Sequence, residues 1–136
     1  MNILLNSIYI LLFFLSSVIL KSLGKDINNV DDFIESINNK EKHIKLIGDI
    51  LIDDNTVLSI TSYNITIEGN SREDTTLRFL NNTDFNILLS PECQYFKIKN
   101  INFIGNIQLL DNRNITFVNM TYNGYFRAEH TPFLWK

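Results

Sequence analysis

Few side chains in this 136-residue sequence are of types that could do chemistry. Outside the predicted helix, which holds Asp31-Asp32, two pairs of adjacent carboxylates occur, Asp53-Asp54 and Glu73-Asp74, with Glu68 nearby. Two carboxyls at a fixed separation are what acid–base cleavage of a sugar linkage needs, and several oxygens together are what calcium needs. Both pairs fall in predicted loops, where solvated charge is the ordinary expectation. His43 and His130 lack a cysteine partner and any ligand spacing, so they are read as surface histidines rather than metal ligands. Cys93 is the single cysteine and can form no internal disulfide; it is expected as an unremarked loop thiol. No nucleophile motif and no phosphate-cradling glycine loop is present, so no catalytic residue, metal or cofactor is assigned. Lys45, Lys97 and Lys99 together with Tyr95 form a candidate ligand face suited to acidic sugars. Four triplets, Asn64-Ile65-Thr66, Asn81-Asn82-Thr83, Asn114-Ile115-Thr116 and Asn119-Met120-Thr121, satisfy the N-glycosylation pattern in a secretory context. Asn81, in a predicted loop, is the first candidate, followed by Asn64 and Asn114 at strand starts. Asn119 is expected to be bare, buried at an interior corner.

A secretory context is what the amino terminus implies. Met1 to Leu20 contain no charged side chain, and Ser22 and Gly24 supply the small-x-small pattern of a cleavage site, which puts the mature start near Lys25. Residues 1–24 are therefore a signal peptide, or else a retained signal anchor, because Ile3 to Leu20 approaches the roughly 20 residues that span a bilayer. Asn6, Ser7, Ser16 and Ser17 interrupt that run and favour cleavage. The remaining chain carries 11 basic against 15 acidic residues, a net charge of −4, with no basic footprint for nucleic acid. The expected location is secreted or at the extracellular surface, with membrane contact only if the leader is kept.

The elements that position these residues are repetitive. Gln94 to Asn106 and Asn112 to Gly124 repeat one pattern, and sliding the first by 19 residues pairs Phe96 with Ile115, Ile98 with Phe117, Asn100 with Asn119 and Gly105 with Gly124. Each copy alternates apolar and polar residues, breaks at an Asn and closes on Gly, which suits two short strands joined by a bend. First strands are expected to begin near Ile44, Ile65, Phe96 and Ile115, second strands near Ile50, Leu77, Ile101 and Met120, and third strands near Leu58, Phe85, Ile107 and Phe126. Gly48, Gly69, Asn100 and Asn119 are expected at equivalent corners, where Gly and Asn supply the backbone freedom. Asn70 to Thr75 is an insertion that belongs in a loop outside the stack. Residues 25–42 form a capping helix region: Val30, Phe33, Ile34 and Ile37 share one helical face, and Asn29 caps the first turn. No partner helix follows, so that face is expected to cover the open end of the β-stack. Residues 43–136 form the stack itself; no cap is evident at its C-terminal end, which is expected either of a truncated stack or of a minimal one.

The helix followed by IKLIGDI, then YNITIEG, FKIKNINFIGN and ITFVNMTYNG, resembles the N-terminal part of right-handed parallel β-helix proteins of the pectin-lyase-like superfamily, over roughly Val30 to Gly124. The resemblance implies an all-β, right-handed parallel β-helix of about four rungs. Members range from polysaccharide lyases and polygalacturonases to non-enzymatic surface and adhesin-like proteins, and their enzymes carry paired Asp, or Asp with Lys and Arg, on outward strand positions. With Ile44, Ile65, Phe96 and Ile115 pointing inward, the outward columns are expected to be Lys45, Thr66, Lys97, Thr116 and Ile47, Glu68, Lys99, Val118. One carboxylate among eight places supplies no acid–base pair, and Glu68 beside Lys99 is expected as an ion pair between neighbouring strands. The expectation is a non-catalytic secreted or surface module with a structural or binding role toward polysaccharide, cell-wall or surface components; the alternative is the N-terminal part of a polysaccharide lyase or glycoside hydrolase lacking its catalytic rungs.

Overall fold

A computed structural model describes residues 25–53, 56–80, 84–111 and 114–129, and the backbone of 133–135. The expected leader, Asp54, Asn81 and His130 lie outside the described residues. In chain order the elements are β1 (Asp26–Ile27), α1 (Val30–Asn38), β2 (His43–Leu46), β3 (Ile50–Ile52), β4 (Leu58–Ile60), β5 (Asn64–Glu68), β6 (Thr76–Phe79), β7 (Ile87–Leu89), β8 (Tyr95–Lys99), β9 (Asn102–Ile104), β10 (Ile107–Leu110), β11 (Asn114–Val118), β12 (Thr121–Asn123), β13 (Phe126–Glu129) and β14 (Phe133–Trp135).

The strands are dealt in turn to three sheets. The first has the order β1-β2-β5-β8-β11-β14, the second β12-β9-β6-β3 and the third β13-β10-β7-β4. Neighbours within each sheet run parallel, as in the pairing of β5 with β8, β6 with β9 and β7 with β10. That excludes a sandwich of hairpins and is consistent with a parallel β-helix. No helix among the described residues is long and apolar enough to cross a membrane.

The core lies between the sheets and is built from the alternate residues of each strand. Ile65, Phe96 and Ile115 stand directly opposite one another and are all buried, as do Ile44, Ile67, Ile98 and Phe117 one step along. On the second sheet Ile50, Leu77, Phe103 and Tyr122 form a column, with the Phe103 and Tyr122 rings stacked 5.6 Å apart. Leu58, Ile87, Ile107 and Phe126 form the third. Each large apolar side chain so buried contributes about 1.5–3 kcal/mol, and none of it is gained by one strand alone. The second-sheet strands of the later copies thus start one residue after Ile101 and Met120, which sit buried at the preceding corner, and β7 is centred on Leu88 rather than starting at Phe85.

One register differs from expectation. His43 lies opposite Thr66, Ile44 opposite Ile67 and Lys45 opposite Glu68, so β2 is displaced by two residues from the alignment of Ile44 with Ile65. A two-residue slip leaves every side chain on the face it already occupied, so alternation alone does not detect it. Gly69, Asn100 and Asn119 remain aligned at one corner, while Gly48 turns the chain further along. A side chain on Gly69 would run into the Asn100 carbonyl and the Thr75 side chain, which explains why this corner takes Gly below an Asn.

The two asparagines do what a corner demands. Asn100 and Asn119 adopt left-handed backbone, φ 57° and 46°, a conformation Asn tolerates better than other side-chain-bearing residues. Asn119 is exposed rather than buried, although its side-chain amide does donate to Asn100 Oδ1 at 2.9 Å. A second asparagine stack, unforeseen, joins the second and third sheets: Asn106 N donates to Asn86 Oδ1, and Tyr125 N to Asn106 Oδ1, both at 2.8 Å.

Helix α1 forms as its sequence implies. Asn29 caps it by accepting from Asp32 N at 2.9 Å, and Phe33 and Ile37 are buried on the face that packs against β3 and β4. Lys25 pairs with Asp32 at 2.9 Å, anchoring the segment that leads into the helix. Strand β1, which precedes the cap, adds one more level to the first sheet by pairing Ile27 with Leu46.

Candidate functional site

The outer face of the first sheet gathers most of the residues singled out above. Because β5, β8 and β11 pair in register, their outward side chains form three columns: Asn64, Tyr95, Asn114; then Thr66, Lys97, Thr116; then Glu68, Lys99, Val118. The displaced register of β2 adds His43 to the second column and Lys45 to the third, and β1 adds Asp26 beside Lys45. Lys45 therefore leaves the Thr66 column and Ile47 leaves the Glu68 column.

The third column is a charge ladder that alternates in sign. Lys45 Nζ lies 3.6 Å from Asp26 Oδ1, and Lys99 Nζ lies 2.7 Å from Glu68 Oε2. His43 Nε2 meets the same Glu68 oxygen at 3.0 Å. Partial burial pushes the Glu68 carboxyl up, but the hydrogen bonds and charge of Lys99 and His43 outweigh it and hold the group below the ordinary carboxylate range. Acid catalysis between two carboxyls needs one whose affinity for the proton is raised, and Glu68 is tuned the opposite way. Two members of the candidate ligand face, Lys45 and Lys99, are thus engaged in ion pairs.

The other two, Tyr95 and Lys97, line a surface depression of ≈ 200 Å³ with Asn64, Thr66, Asn114 and Thr116. Lys97 takes part in none of the ion pairs among the described residues. Tyr95 is 45% exposed, and Tyr63, 63% exposed, leans on it with ring centroids 5.5 Å apart at 59°. The volume is below the ~300 Å³ at which enclosed small-molecule pockets begin, which suits a ring resting on an open face. Flat apolar ring surface, amides, hydroxyls and one ammonium are the complement of a sugar ring, which presents C–H faces and hydroxyls together. Tyr63 and the two asparagines were not seen as part of this face from sequence. The signal was there, since Asn64 and Asn114 occupy equivalent repeat positions and strand alternation places Tyr95 level with them.

The remaining candidates sit elsewhere. Glu73 pairs with Arg72 at 2.7 Å and Asp74 accepts from Ser71 at 2.9 Å, so this pair of carboxylates is tied into its own loop. No group of three or more His, Cys, Asp or Glu among the described residues could hold a metal ion. Cys93 lies in the loop between β7 and β8, as expected, and is fully buried there; burial pushes it up to about 11.

No family model, curated protein or solved structure matches the chain.

Proposed function

We propose that the chain is an exported or surface-displayed, non-catalytic module of the right-handed parallel β-helix kind, with about four rungs and similar to the N-terminal part of pectin-lyase-like proteins. Its role is structural and extracellular: it presents a rigid outer face that binds polysaccharide, cell-wall or surface components. The observation that carries this reading is the depression beside the charge ladder, where Tyr95 stands between Asn64 and Asn114 and above it Lys97 stands between Thr66 and Thr116. The ladder neutralises the carboxylates of that face within the protein, and Lys97 is left to meet a carboxylate or a hydroxyl of the ligand.

Affinity electrophoresis of the unglycosylated chain through neutral and uronate-bearing polysaccharides tests the proposal. Retention should weaken about tenfold, equivalent to ~1.4 kcal/mol, on Tyr95→Ala and on Lys97→Ala. Passage of the wild-type chain through every polysaccharide without retardation would refute the binding role. Export is tested separately by sequencing the amino terminus of secreted material, which should begin at Lys25.

A further inference from the structure

We infer that Asn64 and Asn114 carry N-linked glycans and that the first sugar of such a glycan docks on Tyr95, so that the depression is furnished to seat the protein's own carbohydrate. This rests on the export part of the function proposed above and on the sugar-accepting chemistry of the same face.

Strand geometry makes both acceptor triplets unusual. In Asn64-Ile65-Thr66 and Asn114-Ile115-Thr116 the middle isoleucine is buried in the core while the Asn and Thr point outward on the same side. Both asparagines are exposed, and both lie level with Tyr95, one on each neighbouring strand. Strands in a sheet are ~4.8 Å apart, so a ring attached to either asparagine side chain is within van der Waals reach of the tyrosine ring. Tyr63, the residue before Asn64, extends the aromatic surface on that side. An exposed pair of tyrosines is hydrophobic area left in water, and the C–H face of a sugar covers it without removing the phenol hydroxyls from solvent.

Asn119-Met120-Thr121 is the internal comparison. Its acceptor nitrogen already donates to Asn100 Oδ1 at 2.9 Å, and its backbone is in the left-handed region. The triplet also lies across a corner rather than along a strand, and the described residue level with Asn119 is Asn100, not an aromatic. It is therefore assigned no glycan.

The modification forms a bond between the asparagine side-chain nitrogen and the anomeric carbon of a lipid-diphosphate-linked oligosaccharide. The bond from that carbon to the diphosphate oxygen breaks, the lipid diphosphate leaves with the electron pair, and the amide gives up one proton.

The test is to express the full chain with its own leader in a eukaryotic secreting host, with and without an inhibitor of lipid-linked oligosaccharide synthesis. Peptide mass mapping should find glycan on Asn64 and Asn114 and none on Asn119. Trimming to the first sugar should leave the melting temperature unchanged, and the fully unglycosylated form should melt about 4 °C lower. In Tyr95→Ala that difference should vanish, and in Tyr95→Phe, which keeps the ring, it should persist. Absence of glycan at both positions, failure of the chain to be exported, or a melting difference that survives Tyr95→Ala would each overturn the inference. The unglycosylated form also separates the two claims: if it binds no polysaccharide while the Tyr95-dependent shift stands, the external ligand falls and the self-docked glycan does not.

Discussion

The side-chain amide of Asn119 donates to the side-chain oxygen of Asn100 at 2.9 Å, one strand away and 19 residues back in the chain. The bond links two corners whose residues share left-handed backbone. Replacing Asn119 by Ala loses the bond and places a less tolerant residue at positive φ, for a combined cost of about 2 kcal/mol. Asn119→Gly relieves the backbone but still loses the bond, at about 1 kcal/mol. Urea unfolding should rank the three proteins wild type, Gly, Ala, and an Ala variant as stable as Gly would show that the backbone conformation carries no strain.

Glu68 sets the acid response of the first sheet. Its folded carboxyl is held below the ordinary 4.5, so the stability it contributes is present above that pH and is lost as pH falls through the lower, folded value. At neutral pH Glu68→Gln should cost about 1 kcal/mol, since the partners are only partly buried. The variant should also lose part of the downward slope of stability as pH falls from 4.5 toward the lower, folded value. Unfolding curves at a series of pH values read both effects, and parallel curves for the two proteins would contradict the ladder.

Phe96 occupies the centre of the interior column, between Ile65 and Ile115, with its ring edge-on to Phe117 at 6.5 Å. Phe96→Ala should cost about 3–5 kcal/mol, a large share of a typical domain's 5–15 kcal/mol. A drop of that size in chemical unfolding is expected, and a drop comparable to that for an exposed site such as Tyr63→Ala would mean that the column is not the core.

The buried thiol of Cys93 should be slow to react. Raised by burial from 9.0 to about 11, it holds about a hundredfold less thiolate near pH 8 than an unfolded chain does. Release of a chromogenic disulfide's leaving group should therefore accelerate by at least that factor on adding urea. Equal rates in the folded and unfolded protein would place Cys93 at the surface.

Much of this architecture is legible in the residues because its rules are local. Asn29 before Val30, Phe33 and Ile37 specifies a capped helix with one apolar face, and that helix forms and covers β3 and β4. The repeat joining Phe96 to Ile115 and Ile98 to Phe117 was read directly, and both pairs stand opposite each other. The candidate site was legible only in fragments. Tyr95 and Lys97 are legible, and so is the outward column of Thr66, Lys97 and Thr116, which stands as expected; but the register that brings Asn64 and Asn114 level with Tyr95 joins strands 19 to 31 residues distant, and Tyr63 gives no signal beyond being a tyrosine before a strand.

The amino-acid order alone thus determined which side of each strand faces the core and that Gly69, Asn100 and Asn119 share a corner, though not the level of Gly48. Those properties follow from an alternation of period two and from Gly or Asn at bends. Only the tertiary structure decided which residues are neighbours across strands: that Lys45 stands opposite Glu68 and pairs with Asp26 instead of joining the Thr66 column, and that the two sequon asparagines flank one tyrosine. The reason is that sliding a strand by two residues changes none of its own inward or outward assignments, while it exchanges every partner on the adjoining strand.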